Sequence, residues 1–211
     1  MDIDAKLYHR ICVAETKDGK NFVNKIRSDM PQKQIDNRSI KLCLDIGCGP
    51  GNVTKIVADT LNCDMLVGVD IDPNMIAFAK QNYLAKNIAY VRQDFGAPWE
   101  SLAPQVRQLE GRVDIVYSSH TLQWITRRDN VADNIRRLLA PGARAYLSYA
   151  GEPYYKDLVT NGFVRAIFWL LVWVGWLRSE PEHEQRAQYA RAFEKGGLKI
   201  VSHERYDGSH K

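Results

Sequence analysis

A chain of 211 residues is long enough for one α/β domain with a sizeable buried core. Hydrophobic residues make up 45% and charged residues 26%, the balance of a soluble globular protein. A formal charge of +4 is too small to imply a nucleic-acid partner. No long basic run supplies one locally, because Arg127-Arg128 and Arg136-Arg137 punctuate an amphipathic stretch and read as a solvated helix face.

The first six residues, Met1 to Lys6, carry charges where a secretory signal needs an apolar core, so the expected location is intracellular and cytoplasmic. Residues 3–30 read as helical, with Gly19 as a break or cap, and 31–38 as a polar linker. On this reading residues 1–38 form an N-terminal helical cap and 39–211 the main domain. Cys12, Cys43, Cys48 and Cys63 form no CxxC pair and have no nearby histidine at ligand spacing. They read as reduced and structural, and no metal site is expected.

From residue 40 onward, short apolar runs alternate with amphipathic stretches. Strands are expected at 40–46, 65–70, 88–92, 113–118 and 143–149. Helices are expected at 52–60, 73–85 and 129–139, the second with Asp72 as N-cap before Pro73 and the third closed by Pro141-Gly142. Strands alternating with helices imply crossovers and a mostly parallel sheet with helices on both faces, a Rossmann-like α/β fold. Such sheets bind ligands beyond the carboxyl ends of their strands.

The candidate chemistry falls at those ends. The turn after the first strand reads LDIGCGPGN, with Asp45 ahead of Gly47, Gly49 and Gly51. Glycines permit positive φ and close approach of a ligand to the backbone. The helix behind them begins with unpaired N–H groups and a partial positive charge. The dinucleotide fingerprint wants its third glycine at position 52, where this chain has Asn52. Asp70 ends the second strand, where a carboxylate can accept bonds from both ribose hydroxyls. Asp94 follows the third strand and can accept from an adenine amine, while Phe95 offers an apolar face.

The successive runs LDIGCGPGNVT, GVDIDPNMI, VRQDF and VDIVYSSHTLQWI resemble the motifs of class I S-adenosylmethionine (SAM)-dependent methyltransferases over roughly residues 40–150. The resemblance implies SAM as cofactor, with Asp45, Gly47 and Gly49 lining its methionine part and Asp70 holding its ribose. It implies Asp94 at the adenine amine with the Phe95 backbone nearby, and the Ser118 carbonyl toward the methionine amino group. Cys48, Gly51 and Ile71 complete the implied cofactor-binding set.

Leu122-Gln123-Trp124 is similar to a segment of small-molecule carboxylate methyltransferases, chiefly the juvenile hormone acid methyltransferases and then the trans-aconitate methyltransferases. Leu7-Tyr8 resembles the start of the hormone enzymes, which place a glutamine seven residues after the tyrosine. Glu15 stands at that position here, and a carboxylate there opposes an anionic acceptor. The implied activity is methyl transfer to the carboxylate of a small lipophilic acid of the juvenile hormone acid or farnesoic acid type. Trp124 would donate its indole N–H to one acceptor oxygen; it reads equally as a core aromatic. His120 is the base candidate that a hydroxyl or carbon acceptor would require. An inactive SAM-binding paralogue is the non-enzyme alternative.

Residues 163–177, FVRAIFWLLVWVGWL, are too short for a confident membrane span. Trp169, Trp173 and Trp176 share one face of a helix. An apolar helical insertion at about 155–190 is expected, as a substrate lid in preference to membrane contact. The run from Gly196 to Val201 looks like the approach to the family's sixth strand, and nothing before Lys211 supplies a seventh. An uncovered fifth-strand edge is an association hazard, so a homodimer or reduced stability is the expectation.

Overall fold

The computed structural model describes residues 4–30, 40–148 and 182–202. The linker 31–38 and the tryptophan-bearing stretch 163–177 lie outside the described residues. In chain order the elements are α1 (Ala5–Ile11), α2 (Val13–Asp29), β1 (Leu42–Ile46), α3 (Asn52–Leu61), β2 (Met65–Asp70), α4 (Pro73–Asn82) and β3 (Ile88–Arg92). They continue with α5 (Pro104–Arg107), β4 (Val113–Ser119), α6 (Arg128–Leu138), β5 (Leu139–Ser148) and α7 (Glu182–Lys195). Short 3-10 turns lie at Trp99–Ser101 and Leu122–Trp124.

The five strands form one parallel sheet in the order β3-β2-β1-β4-β5. β1 is buried at every position, as a central strand covered on both faces must be. The chain fills one side of β1 with β2 and β3, then returns to the other side with β4 and β5. Beyond their carboxyl ends β1 and β4 therefore diverge, leaving the crevice expected at a topological switch point.

Alternation along the strands sorts the core into two layers. Cys43, Leu66, Tyr90, Ile115 and Tyr117 pack against Val23 and Ile26 of α2, Val57 and Leu61 of α3, and Ile76 of α4. Leu44, Ile46, Val67, Val69, Val113 and Val116 pack on the opposite face against Val131, Ile135 and Leu138 of α6 and Tyr189 of α7. Each fully buried Val, Leu or Ile contributes roughly 1.5–3 kcal/mol, so both layers matter to stability. Asp72 caps α4 by accepting the Asn74 N–H, with Pro73 at the first helical position, as the sequence implied.

Three local expectations are corrected. The helical break falls at Cys12, between α1 and α2, and Gly19 lies buried inside α2. A Cβ at Gly19 would stand 2.8 Å from Val53 Cγ1, so the glycine serves close packing of α2 on α3. Pro141-Gly142 does not close α6, which ends at Leu138 where β5 begins. The pair lies in an irregularity where register jumps from Val113↔Leu139 to Ile115↔Arg144 and Gly142 takes φ +79°. An edge strand tolerates proline there because no ladder donor is needed. Finally, Gly196 and Gly197 terminate α7, with Gly197 at φ +80° and the Leu198 N–H returning to the Phe193 carbonyl at 2.8 Å. That is a left-handed helix cap. The described residues after it form no strand, and Val201 is exposed.

Candidate cofactor and acceptor cleft

A cleft of about 540 Å³ opens beyond the carboxyl ends of β1 and β4 and is lined from α1, α2 and every strand-end turn named above. Its volume is within the roughly 300–1,000 Å³ of ligand sites. Asp45, Gly47, Cys48, Gly49, Asp70, Ile71, Asp94, Phe95, His120 and Trp124 all line it.

The glycine turn is shaped by its neighbours. Gly47, Gly49 and Gly51 all have positive φ, at 76°, 52° and 90°. A Cβ at Gly47 would fall 2.0 Å from Thr121 Oγ1, and one at Gly51 would fall 2.7 Å from Tyr90 Oη. These two glycines are required by the protein itself. A Cβ at Gly49 would meet nothing within 4 Å, which makes this the position where the backbone borders open space. Gly51 lies beneath the turn as the N-cap of α3 and is not part of the cleft wall.

Asp70 is tied into the same unit. Its Oδ2 accepts the Gly49 N–H at 2.9 Å and its Oδ1 accepts the Asp72 N–H at 2.9 Å. Each oxygen keeps a lone pair for a ligand hydroxyl. Burial raises the Asp70 pKa, opposed by the Asp72 and Gly49 N–H bonds. Asp45 is 2% exposed and accepts the Thr54 hydroxyl at 2.7 Å. Burial pushes its pKa up to about 7; the Thr54 bond pulls it down and Asp70 raises it further. Burial also drives the Cys48 thiol well up, so that side chain is a neutral wall. Two deep acids beside an open glycine fit a cationic ligand such as a sulfonium carrying an ammonium group.

Asp94 departs from the simple expectation. Its Oδ1 accepts the Gly96 N–H at 2.9 Å and its Oδ2 pairs with Arg127, so an adenine amine would share the carboxylate with this arginine. The Phe95 ring is 3% exposed and packs in the lower core layer, and its carbonyl accepts from Asn134 Nδ2 at 3.0 Å. The Ser118 side chain is fully buried and its Oγ donates to the Ile46 carbonyl at 2.9 Å, joining β4 to β1, so the expected role rests on its backbone carbonyl alone. At that level the wall is formed by Tyr117 and Ser119. The cause is strand alternation, which turns successive side chains to opposite faces.

Trp124 is 59% exposed on its 3-10 turn, so it is not a core aromatic. Glu15 lines the cleft as expected from its position. His120 also lines it, with φ +53° and its Nε2 3.5 Å from Asp18 Oδ2. Several lining residues escaped the sequence reading, among them Cys12, Thr16, Asn52, Thr121 and Arg127. Asn52 Nδ2 donates to Thr16 Oγ1 at 2.6 Å and so ties α3 to α2, which explains the residue that breaks the dinucleotide pattern. Local sequence carries no signal for a contact 36 positions apart.

A methyltransferase-domain family model matches residues 44–147, the stretch that builds β1 to β5 and the cleft floor. Over residues 44–147 the chain is similar to methyltransferase domains. Trans-aconitate 2-methyltransferase of Rhizobium leguminosarum bv. trifolii (strain WSM2304) is 28% identical over 109 residues, 52% of this chain and 38% of that protein. Malonyl-[acyl-carrier protein] O-methyltransferase of Bacillus anthracis is 28% identical over 147 residues, 70% of this chain and 51% of that protein. The chain thus spans about half or less of the length of these curated relatives. A Methanococcus maripaludis structure assigned as a SAM-dependent methyltransferase superposes with TM-score 0.59 at 18% identity, covering 93% of this chain and 84% of that one. Phosphoethanolamine N-methyltransferase 2 of Haemonchus contortus, solved with SAM, gives TM-score 0.52 at 20% identity, covering 74% of this chain and 33% of that one. These likenesses establish the Rossmann-like methyltransferase fold. No helix among the described residues is long and apolar enough to cross a membrane.

Proposed function

We propose that the chain binds SAM at the glycine turn and transfers its methyl group to a carboxylate oxygen of a small, lipophilic acid. The observation that carries the reading is the placement of Trp124, which stands open in the same cleft as Gly49 and Asp70. An exposed indole N–H there is available to one acceptor oxygen while the other attacks. A carboxylic acid with a pKa of about 4 is already ionised at pH 7, so orientation and exclusion of water suffice. The curated relatives, trans-aconitate and malonyl-[acyl-carrier protein] methyltransferases, support a carboxylate acceptor. An acceptor of the juvenile hormone acid or farnesoic acid type rests on the Leu122-Gln123-Trp124 resemblance and on the apolar lining from Val69, Ile71, Met75 and Ile125.

Calorimetric titration with SAM and with NAD tests the first half. Saturable SAM binding without NAD binding is expected, and the reverse would overturn the reading. Transfer of labelled methyl to farnesoic acid and trans-aconitate tests the second half. Trp124→Ala should lower kcat/KM for the acid about tenfold or more, with SAM affinity retained, because the side chain is exposed and supports no core. SAM binding with no transfer to any acid would point instead to a binding module.

A further inference from the structure

Transfer to a carboxylate leaves His120 of the cleft and its partner Asp18 unused. His120 lies in the turn after β4, with its side chain 14% exposed, and its Nε2 is 3.5 Å from Asp18 Oδ2. Asp18 belongs to α2 and stands behind the imidazole, outside the cleft lining. Glu15, one helical turn earlier on α2, lines the cleft and also acts electrostatically on His120. The His120 backbone is in the left-handed region at φ +53°, fixed by its N–H bond to the Ser148 carbonyl at 3.0 Å. Such a conformation in a non-glycine residue persists only where the surroundings enforce it, and it concentrates at functional sites.

We infer that His120 is a general base held by Asp18, and that it fits the cleft to methylate a neutral phenolic hydroxyl as well as a carboxylate. This inference rests on the methyl-transfer reading above. Glu15 in the cleft lining adds no positive charge for an acceptor, so a neutral molecule is accommodated there beside a carboxylate. A phenol with a pKa of about 10 holds its proton at pH 7 and needs a base, whereas a carboxylate does not. Burial lowers the His120 pKa while Asp18 and Glu15 pull it upward, which leaves a neutral imidazole able to accept a proton. In the step, the phenolic proton passes to the imidazole as the oxygen lone pair forms the new O–C bond. The C–S bonding pair returns to sulfur, leaving neutral S-adenosylhomocysteine. Asp18 stabilises the imidazolium and so acts as a positioning residue.

The test compares p-cresol with 4-methylbenzoate, two acceptors of one shape, in the full chain and in His120→Gln and Asp18→Asn. His120→Gln should reduce p-cresol turnover about 10²-fold more than 4-methylbenzoate turnover, the scale of general-base catalysis. Asp18→Asn should move the acid limb of the p-cresol kcat/KM profile to lower pH. The same shift should appear in the His120 imidazole resonances of the protein without SAM, titrated by NMR. Methylation of 4-methylbenzoate without p-cresol would overturn the base and leave the carboxylate reading intact. Methylation of p-cresol alone would uphold the base and sink the carboxylate reading. Equal losses on both acceptors in His120→Gln, with an unmoved titration in Asp18→Asn, would reduce the pair to a structural contact and overturn the inference.

Discussion

The Gly49 N–H donates to Asp70 Oδ2 across 2.9 Å, so the glycine turn after β1 and the acid at the end of β2 move as one unit. Asp70 therefore fixes the turn, and on the proposed reading its remaining lone pairs would accept from ribose hydroxyls. Asp70→Asn keeps the shape but exchanges one acceptor oxygen for a donor. Hydrogen bonds to a charged group contribute about 1.5–3 kcal/mol, so SAM affinity should fall by about 10- to 100-fold. Calorimetric titration reads this directly, and unchanged affinity would remove Asp70 from the site.

Asp45 should make both stability and ligand affinity depend on pH. Its folded pKa, about 7, lies above the ordinary carboxylate value of 3.8 because burial disfavours the charge. The folded state then binds more protons than the unfolded state between those limits. Stability falls as pH rises from about 4 to about 7 and levels off above, by at most about 4 kcal/mol on the 1.36 kcal/mol-per-unit scale. Asp70, raised in the same direction, adds to the trend. A cationic ligand favours ionised Asp45, so SAM affinity should rise between pH 6.5 and 8. Thermal unfolding from about pH 4 to 8 and SAM titration from about pH 6.5 to 8 check the two slopes, and Asp45→Asn should flatten them.

Gly47→Ala and Gly49→Ala separate a folding requirement from a binding one. Both residues have positive φ, which costs an alanine roughly 1 kcal/mol. At Gly47 the new methyl would also strike the Thr121 side chain, so this variant should unfold at markedly lower denaturant concentration. At Gly49 the methyl enters open space. That variant should lose little beyond the backbone strain yet bind SAM at least tenfold more weakly.

Gly19→Ala tests the packing of α2 on α3. Alanine is the better helix former by about 1 kcal/mol, and on propensity alone the change would stabilise. Its Cβ would stand 2.8 Å from Val53 Cγ1, however, and 3.1 Å from Val53 Cγ2. Overpacking costs typically 1–3 kcal/mol, so a net loss in chemical denaturation is expected. Val53→Ala in the same chain should recover part of it, because the double variant removes the clash.

The amino-acid sequence by itself determined the fold and the strand ends that line the cleft. Short apolar runs between amphipathic stretches, Asp72 before Pro73, and the acid and glycine positions around Asp45 to Gly51 are local features, and local features are legible one residue at a time. Only the tertiary structure decided which neighbours complete them. It set Asp18 behind His120, engaged Asp94 with Arg127, turned Ser118 into the sheet and placed Gly19 against Val53. Pro141-Gly142 likewise reads as a helix stop from its residues, and became a strand irregularity because pairing with β4 overrides local preference. Contacts between residues far apart in sequence depend on how layers pack, and packing is settled by the whole set of buried surfaces together.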